Sequence, residues 1–367
     1  MRGIFVVAIY FIFAVVFYGI IKTSYNRAEN RNSPNKISVF SISFLSVLAV
    51  FLNIICTNLS VIVGSDRINY IYEFSGARSP DSIGLQLVFF LVHLIGGDIN
   101  YVYIITTFVS VFVTLLAYRK SKYAQPQVIA LLLSTQWIFY TFTALKQSFA
   151  NAFVAVAFVC FIESEKRKDY LLGVMMLVIA IVFHSSAIAL LPVLILLFLQ
   201  KKSSRRNTFY SALIIIGSIF IRQISLIIAR FISPILPLVS LKIIQYMSKL
   251  DTSSINSMTI FKYVSIFIIL IWAYANRKQY RLKIDVFSKY FLTTLYASIL
   301  LIYSVFSYWF VRFIDLFYFP IFVFYALIDR DEYLYSNKII IRICVYGLQI
   351  IFLIRWIMRI FNIYGGL

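Results

Sequence analysis

Apolar runs recur from one end of the chain to the other, at residues 3–21, 37–63, 99–118, 127–143, 145–162, 170–184, 185–199, 207–229, 259–275, 286–308, 312–328 and 338–358. Most approach the ~20 residues an α-helix needs to cross a ~30 Å hydrocarbon core. Lipid offers backbone N–H and C=O groups no partner, so only helices and closed barrels span it. The alternating short strands of a barrel are absent. The runs predict an all-α polytopic membrane protein of about twelve transmembrane helices. The composition, 62% hydrophobic and 13% charged over 367 residues, excludes a soluble domain. No long hydrophilic segment interrupts the pattern, so residues 1–367 read as a single integral membrane domain. Run 3–21 lacks a small-residue cleavage site and reads as the first span, not a cleaved signal. Cys56, Cys160 and Cys344 stand alone in apolar runs, which gives neither a disulfide framework nor a zinc site.

A net charge of +20 invites a nucleic-acid reading, but the distribution of the charge opposes it. Twenty of the 34 lysines and arginines fall in six short clusters between runs, at 22–36, 119–122, 166–168, 201–206, 277–283 and 330–338. This is the positive-inside pattern, and it predicts that all six are cytoplasmic. Consecutive cytoplasmic clusters need an even number of crossings between them. Three apolar runs lie between Lys36 and Arg119, so the short one at 83–95 is expected to be re-entrant or interfacial. Only about 30 apolar residues separate Lys168 from Lys201, where two crossings need ~40. The chain is therefore expected to reverse near Phe183–Ser186, which puts His184 on the floor of an outward-facing cavity.

The ionisable residues left on the external side are few. They are Asp66, Arg67, Tyr70, Tyr72, Glu73, Arg78 and Asp81 in "GSDRINYIYEFSGARSPD", Lys146 beside Gln147 in "FTALKQSFAN", His184, a few charges in 230–258, and Arg312 with Asp315 in "YWFVRFIDLFY". Ionisable groups at membrane depth are costly and mark function. Each also has a plainer reading. Tyr70 and Trp309 fit an aromatic belt, Lys146 fits a snorkelling side chain, and His184 fits a helix–helix hydrogen bond. Asp315 falls one helical step after Arg312 and is placed to orient it. Arg222, inside run 207–229, has no obvious partner, and His93 reads as structural.

The order "GSDRINY", "ALKQSFANAF", "FHSSAIALL" and "FVRFIDLFYFP" resembles the EpsG family of exopolysaccharide proteins, relatives of the Wzy polymerases of O-antigen and capsule synthesis. The resemblance runs from about Gly64 to Pro320, with Lys146 standing where the family usually has Arg. It implies extension of a polyprenyl-diphosphate-linked glycan at the outer face of the bacterial cytoplasmic membrane. Donor and acceptor glycans, the bilayer and a chain-length regulator are the implied partners, and nucleic acid is not one. Asp66, Tyr70, Lys146, Gln147, His184 and Arg312 match the family's motif positions.

Such a reaction needs cations on the anionic leaving group and a base on the acceptor hydroxyl. Arg312, Lys146 and Arg222 are the candidates for the diphosphate. Asp66 or His184 is the candidate base. Arg67, Tyr70, Gln147 and Asp315 are candidates for holding substrate. Neither metal nor cofactor is expected. Three alternatives remain open. A transferase using a polyprenyl-phosphate sugar needs the same ions. A lipid-linked oligosaccharide flippase needs cations reachable from both faces. An acyltransferase needs a buried histidine with an acyl-donor partner.

Overall fold

The computed structural model describes residues 2–31, 36–58, 65–80, 82–135, 137–164, 166–199, 257–275, 284–304, 315–330 and 341–351, with scattered positions between them. All regular structure among these residues is helical. The chain divides into two units, residues 1–184 with 346–367, and residues 185–345.

The first unit contains α1 (Arg2–Asn30), α2 (Val39–Asn58), α3 (Ser65–Phe74), α4 (Ile83–Leu94), α5 (Ile99–Lys120), α6 (Pro126–Ser134), α7 (Trp137–Thr143), α8 (Leu145–Glu163) and α9 (Arg167–Phe183). α1, α2, α5 and α8 are long and apolar enough to cross a membrane. α8 is the hub. It is buried along nearly its whole length and carries Ser148, Ala150, Ala152, Ala155, Ala157 and Cys160, small residues that let neighbouring backbones come close. α5 and α9 flank it. A Cβ on Gly173 of α9 would meet the Phe161 ring at 2.9 Å, a direct measure of how near α8 and α9 lie.

The two ends of this bundle differ in chemistry. At one end Lys120 pairs with Asp169 at 2.7 Å. Glu163 at the close of α8 accepts from Ser121 Oγ at 2.6 Å and from the Lys122 N–H at 2.5 Å. Lys36 donates to the Ala124 carbonyl and lies over the Tyr25 and Tyr118 rings. Three of the six cationic clusters expected to share a membrane face therefore meet here. Between Lys36 and Arg119, α2 and α5 are the two long helices, and α3 and the twelve-residue α4 lie at their other end. Two helices of span length thus separate these clusters. At ~1.5 Å per residue α4 is too short to span.

The sequence reading is corrected at two places. Run 127–143 is not one continuous helix but α6 and α7. Ser134 Oγ donates back to the Leu131 carbonyl at 2.7 Å and Thr135 Oγ1 to the Leu132 carbonyl at 2.8 Å, which satisfies the acceptors that a continuing helix would use. Segment 64–81, read as a loop, contains the helix α3. It ends in a turn at Gly76, whose φ of +77° suits glycine.

The second unit contains a 3₁₀ turn (Ser185–Leu190), α10 (Leu191–Leu199), α11 (Ser257–Ala275), α12 (Ile284–Ser304) and α13 (Tyr318–Arg330). The tight turn frees the Ala189 carbonyl, and Tyr296 OH of α12 donates to it at 2.9 Å. α12 packs against α10, α11 and α13. Arg342 pairs with Asp329 of α13 at 2.5 Å.

Candidate functional site

α3 is ten residues long, and its spacing decides which groups share a face. Asp66, Tyr70, Glu73 and Phe74 fall at i, i+4, i+7 and i+8. Tyr70 and Phe74 pack into an apolar cluster with Leu85, Val88, Phe89 and Val92 of α4, Tyr103 of α5 and Leu145 of α8. His93 holds the C-terminal end of α3. Its ring stacks on Phe74 with centroids 4.1 Å apart, and its Nε2 lies 3.2 Å from the Phe74 carbonyl. This is the structural role expected for it.

Burial of the apolar side of α3 carries Glu73 inward, where it is only 5% exposed. Lys146, in the first turn of α8, meets it with Nζ 3.3 and 3.4 Å from the two carboxylate oxygens. The same ammonium sits 5.2 Å from the centre of the Tyr70 ring. The carboxylate and the aromatic face thus share one cation. Burial holds the Tyr70 phenol well above its ordinary pKa, the Asp66 carboxylate reinforces this, and the backbone N–H of Lys146 acts weakly in the opposite sense. Asp66 itself is partly buried in the first turn of α3, where the helix dipole favours a negative charge. Among the described residues its carboxylate takes no hydrogen bond or ion pair. Gln147 is buried next to Lys146.

His184 is fixed through its backbone. It closes α9 with φ −146° and ψ 112°, its N–H donating to the Ala180 carbonyl at 2.8 Å. α9 therefore stops where the sequence predicts a break. The N-terminus of α4 is what holds that end. Ser82 Oγ caps α4 by accepting from the Leu85 N–H, and it donates to the Phe183 carbonyl at 2.8 Å. Gly84 leaves room for the Phe183 ring, since a Cβ there would come within 2.7 Å of it. The other face of Phe183 stacks on Phe149 of α8, with centroids 4.3 Å apart. The "FH" and "KQSFANAF" elements are thus joined through one aromatic stack.

Asp66, Arg67, Tyr70, Lys146, Gln147 and His184 accordingly gather at the bundle end opposite the three cationic clusters. Arg222 and Arg312 lie outside the described residues. Asp315 is buried in the second unit, close to Tyr318. Sequence reasoning assigned no role to Glu73 or Tyr103. The signal for Glu73 was its spacing of seven from Asp66 and three from Tyr70, visible only once the segment is read as a helix. Tyr103 is one of 26 tyrosines and carries no such signal. Among the described residues no cluster of His, Cys and carboxylates is arranged to hold a metal ion.

In the first unit, a helical bundle with three cationic clusters at one end and an acidic, aromatic and basic cluster at the other defines a membrane-type protein with a polar site at one bundle end. The chain belongs to the EpsG family, whose model matches residues 42–364, a family of Wzy-type polysaccharide polymerase-like proteins. No curated protein and no solved structure matches the chain.

Proposed function

We propose that this protein polymerises polyprenyl-diphosphate-linked oligosaccharide repeat units at the outer face of the bacterial cytoplasmic membrane, through about twelve spans. Family membership supports a polysaccharide polymerase-like role. The observation that carries the finer reading is the gathering of the α3 and α8 motifs with His184 at the bundle end opposite the cationic clusters. If those clusters are cytoplasmic, the site opens outward.

The chemistry is a glycosyl transfer. The bond from the donor's reducing-end sugar to the diphosphate breaks, and a bond from that sugar to an acceptor hydroxyl forms. The acceptor proton passes to a base, and polyprenyl diphosphate leaves as the anion. Asp66 is the favoured base, since its carboxylate is unengaged among the described residues and stands on the face that carries Tyr70. His184 is the competing assignment. Lys146 fixes Tyr70 and adds positive potential, and Arg312 is assigned from sequence to neutralise the leaving group.

Complementation of a deletion strain tests the reading. Loss of polymer with accumulation of single lipid-linked repeat units is the expected phenotype. A polyprenyl-phosphate sugar transferase would instead leave incomplete units, and a flippase would leave complete units on the inner face. Asp66→Asn should lower polymer about 10²-fold at unchanged protein level. His184→Gln tests the rival base. Polymer of normal length and amount from both variants would remove both residues from the mechanism.

A further inference from the structure

Arg67 is held more firmly than a surface arginine. Its guanidinium stacks over the Tyr103 ring, 4.7 Å from the centroid. Its Nη1 donates to Thr57 Oγ1 at 3.2 Å. Thr57 donates on to Asn53 Oδ1 at 3.2 Å. Asn53 Nδ2 donates to Thr107 Oγ1 at 2.8 Å and to the Tyr103 carbonyl at 3.3 Å. Thr107 donates to the Thr141 carbonyl at 3.3 Å. The relay ties the fork to α2, α5 and α7, whose buried Asn53 and Thr107 cannot move without breaking bonds of their own.

This fixed fork is largely unengaged. Among the described residues one of the five guanidinium donors is used, and no carboxylate pairs with Arg67. Directly beneath it the Tyr103 side chain is 2% exposed, and its hydroxyl has no hydrogen-bond partner. That hydroxyl lies within electrostatic reach of both Arg67 and Asp66. A buried hydroxyl left unpaired costs about 1–3 kcal/mol, and the Arg67 fork keeps four donors unused among the described residues. One occupant relieves both: a group with several anionic oxygens, accepting from the guanidinium and from the phenol. Lys146 differs, because Glu73 already compensates its charge.

We propose that Arg67 and Tyr103 form the subsite for the phosphate oxygens of a polyprenyl diphosphate, and that Lys146 is a positioning residue which holds Tyr70 and α3. The inference rests on the substrate class proposed above. It locates the anion beside Asp66, so leaving group and base are served by adjacent residues of one short helix. A phospholipid headgroup presents the same chemistry and is the alternative source of the anion.

The test uses the full chain in phosphatidylcholine nanodiscs with farnesyl diphosphate as probe. Farnesyl diphosphate, and not farnesol, should raise the melting temperature of the wild type. Arg67→Gln should weaken binding at least about tenfold, Arg67→Lys less, and Tyr103→Phe severalfold. Wild-type affinity in Arg67→Gln overturns the subsite. If Arg67→Gln does not fold, unchanged affinity in Tyr103→Phe, which deletes one oxygen, overturns it instead. Phosphatidylglycerol in the disc that blocks the probe only when Arg67 is present would assign the site to lipid headgroups and overturn the substrate reading of it. These results are separate from the functional reading, which fails if the deletion strain still makes polymer.

Discussion

Glu73 and Lys146 illustrate how a buried charge is managed in this chain. Their contact at 3.3 Å is nearly dry, with side-chain exposures of 3% for Glu73 and 13% for Lys146. Removing one partner weakens the compensation of the other's buried charge. Glu73→Gln should lower stability by about 2 kcal/mol, and Lys146→Gln by a similar amount. The double variant should lose less than the sum, because the mutual interaction of the pair is lost only once. Thermal unfolding in detergent reads this through thiol exposure, since Cys56 and Cys160 are buried in the folded state. Strictly additive losses would show that the pair is not coupled. Arg312 makes a second prediction at this scale. If it grips a diphosphate, Arg312→Lys should retain part of the activity and Arg312→Ala none, at equal membrane levels, because only arginine offers a bidentate fork. Loss of the protein from the membrane in Arg312→Ala would make the residue structural.

At the scale of elements, α4 sets the position of His184. Its N-terminal Ser82 and Gly84 grip the end of α9, and Phe149 closes the other side of the Phe183 ring. The ring is therefore trapped between two helices. Gly84→Ala adds a methyl group within 2.7 Å of the Phe183 ring, which must shift against Phe149, and should destabilise by about 1–3 kcal/mol. Under the proposed function it should also lower polymer output more than its effect on protein level explains, because the His184 backbone moves with Phe183. Gly97→Ala is the control. Its Cβ meets Val92 at 3.0 Å and Tyr101 at 3.1 Å, away from His184. Equal polymer loss per unit of stability in both variants would show that α4 acts by general packing alone.

At the scale of the whole molecule, the charge pattern makes a topological prediction. In a cysteine-free background, Ser203→Cys in the fourth cationic cluster should resist a membrane-impermeant thiol reagent applied from outside, and Ser75→Cys at the exposed end of α3 should react readily. The reverse pattern would place the Asp66 cluster in the cytoplasm and defeat an outward-facing polymerase.

The sequence alone determined the apolar medium and the helical class, and it carries the charge pattern from which the topological prediction is made. These are properties of composition and of charge placement along the chain, and hydrocarbon imposes them whatever the packing. It also located the helix end at Phe183, because the run from Lys168 to Lys201 is too short for two straight crossings. The partners inside the site were decided by tertiary structure. Segment 64–81 carries too few apolar residues to look like a core helix, yet α3 forms because Tyr70 and Phe74 find apolar surface on α4, α5 and α8. Only then does Glu73 turn inward to meet Lys146, and Arg67 come to lie over Tyr103. Such pairings, 73 residues apart in one case and 36 in the other, depend on which helices pack side by side. Apolar periodicity does not encode that choice, because lipid and protein neighbours present an apolar helix face with nearly the same environment.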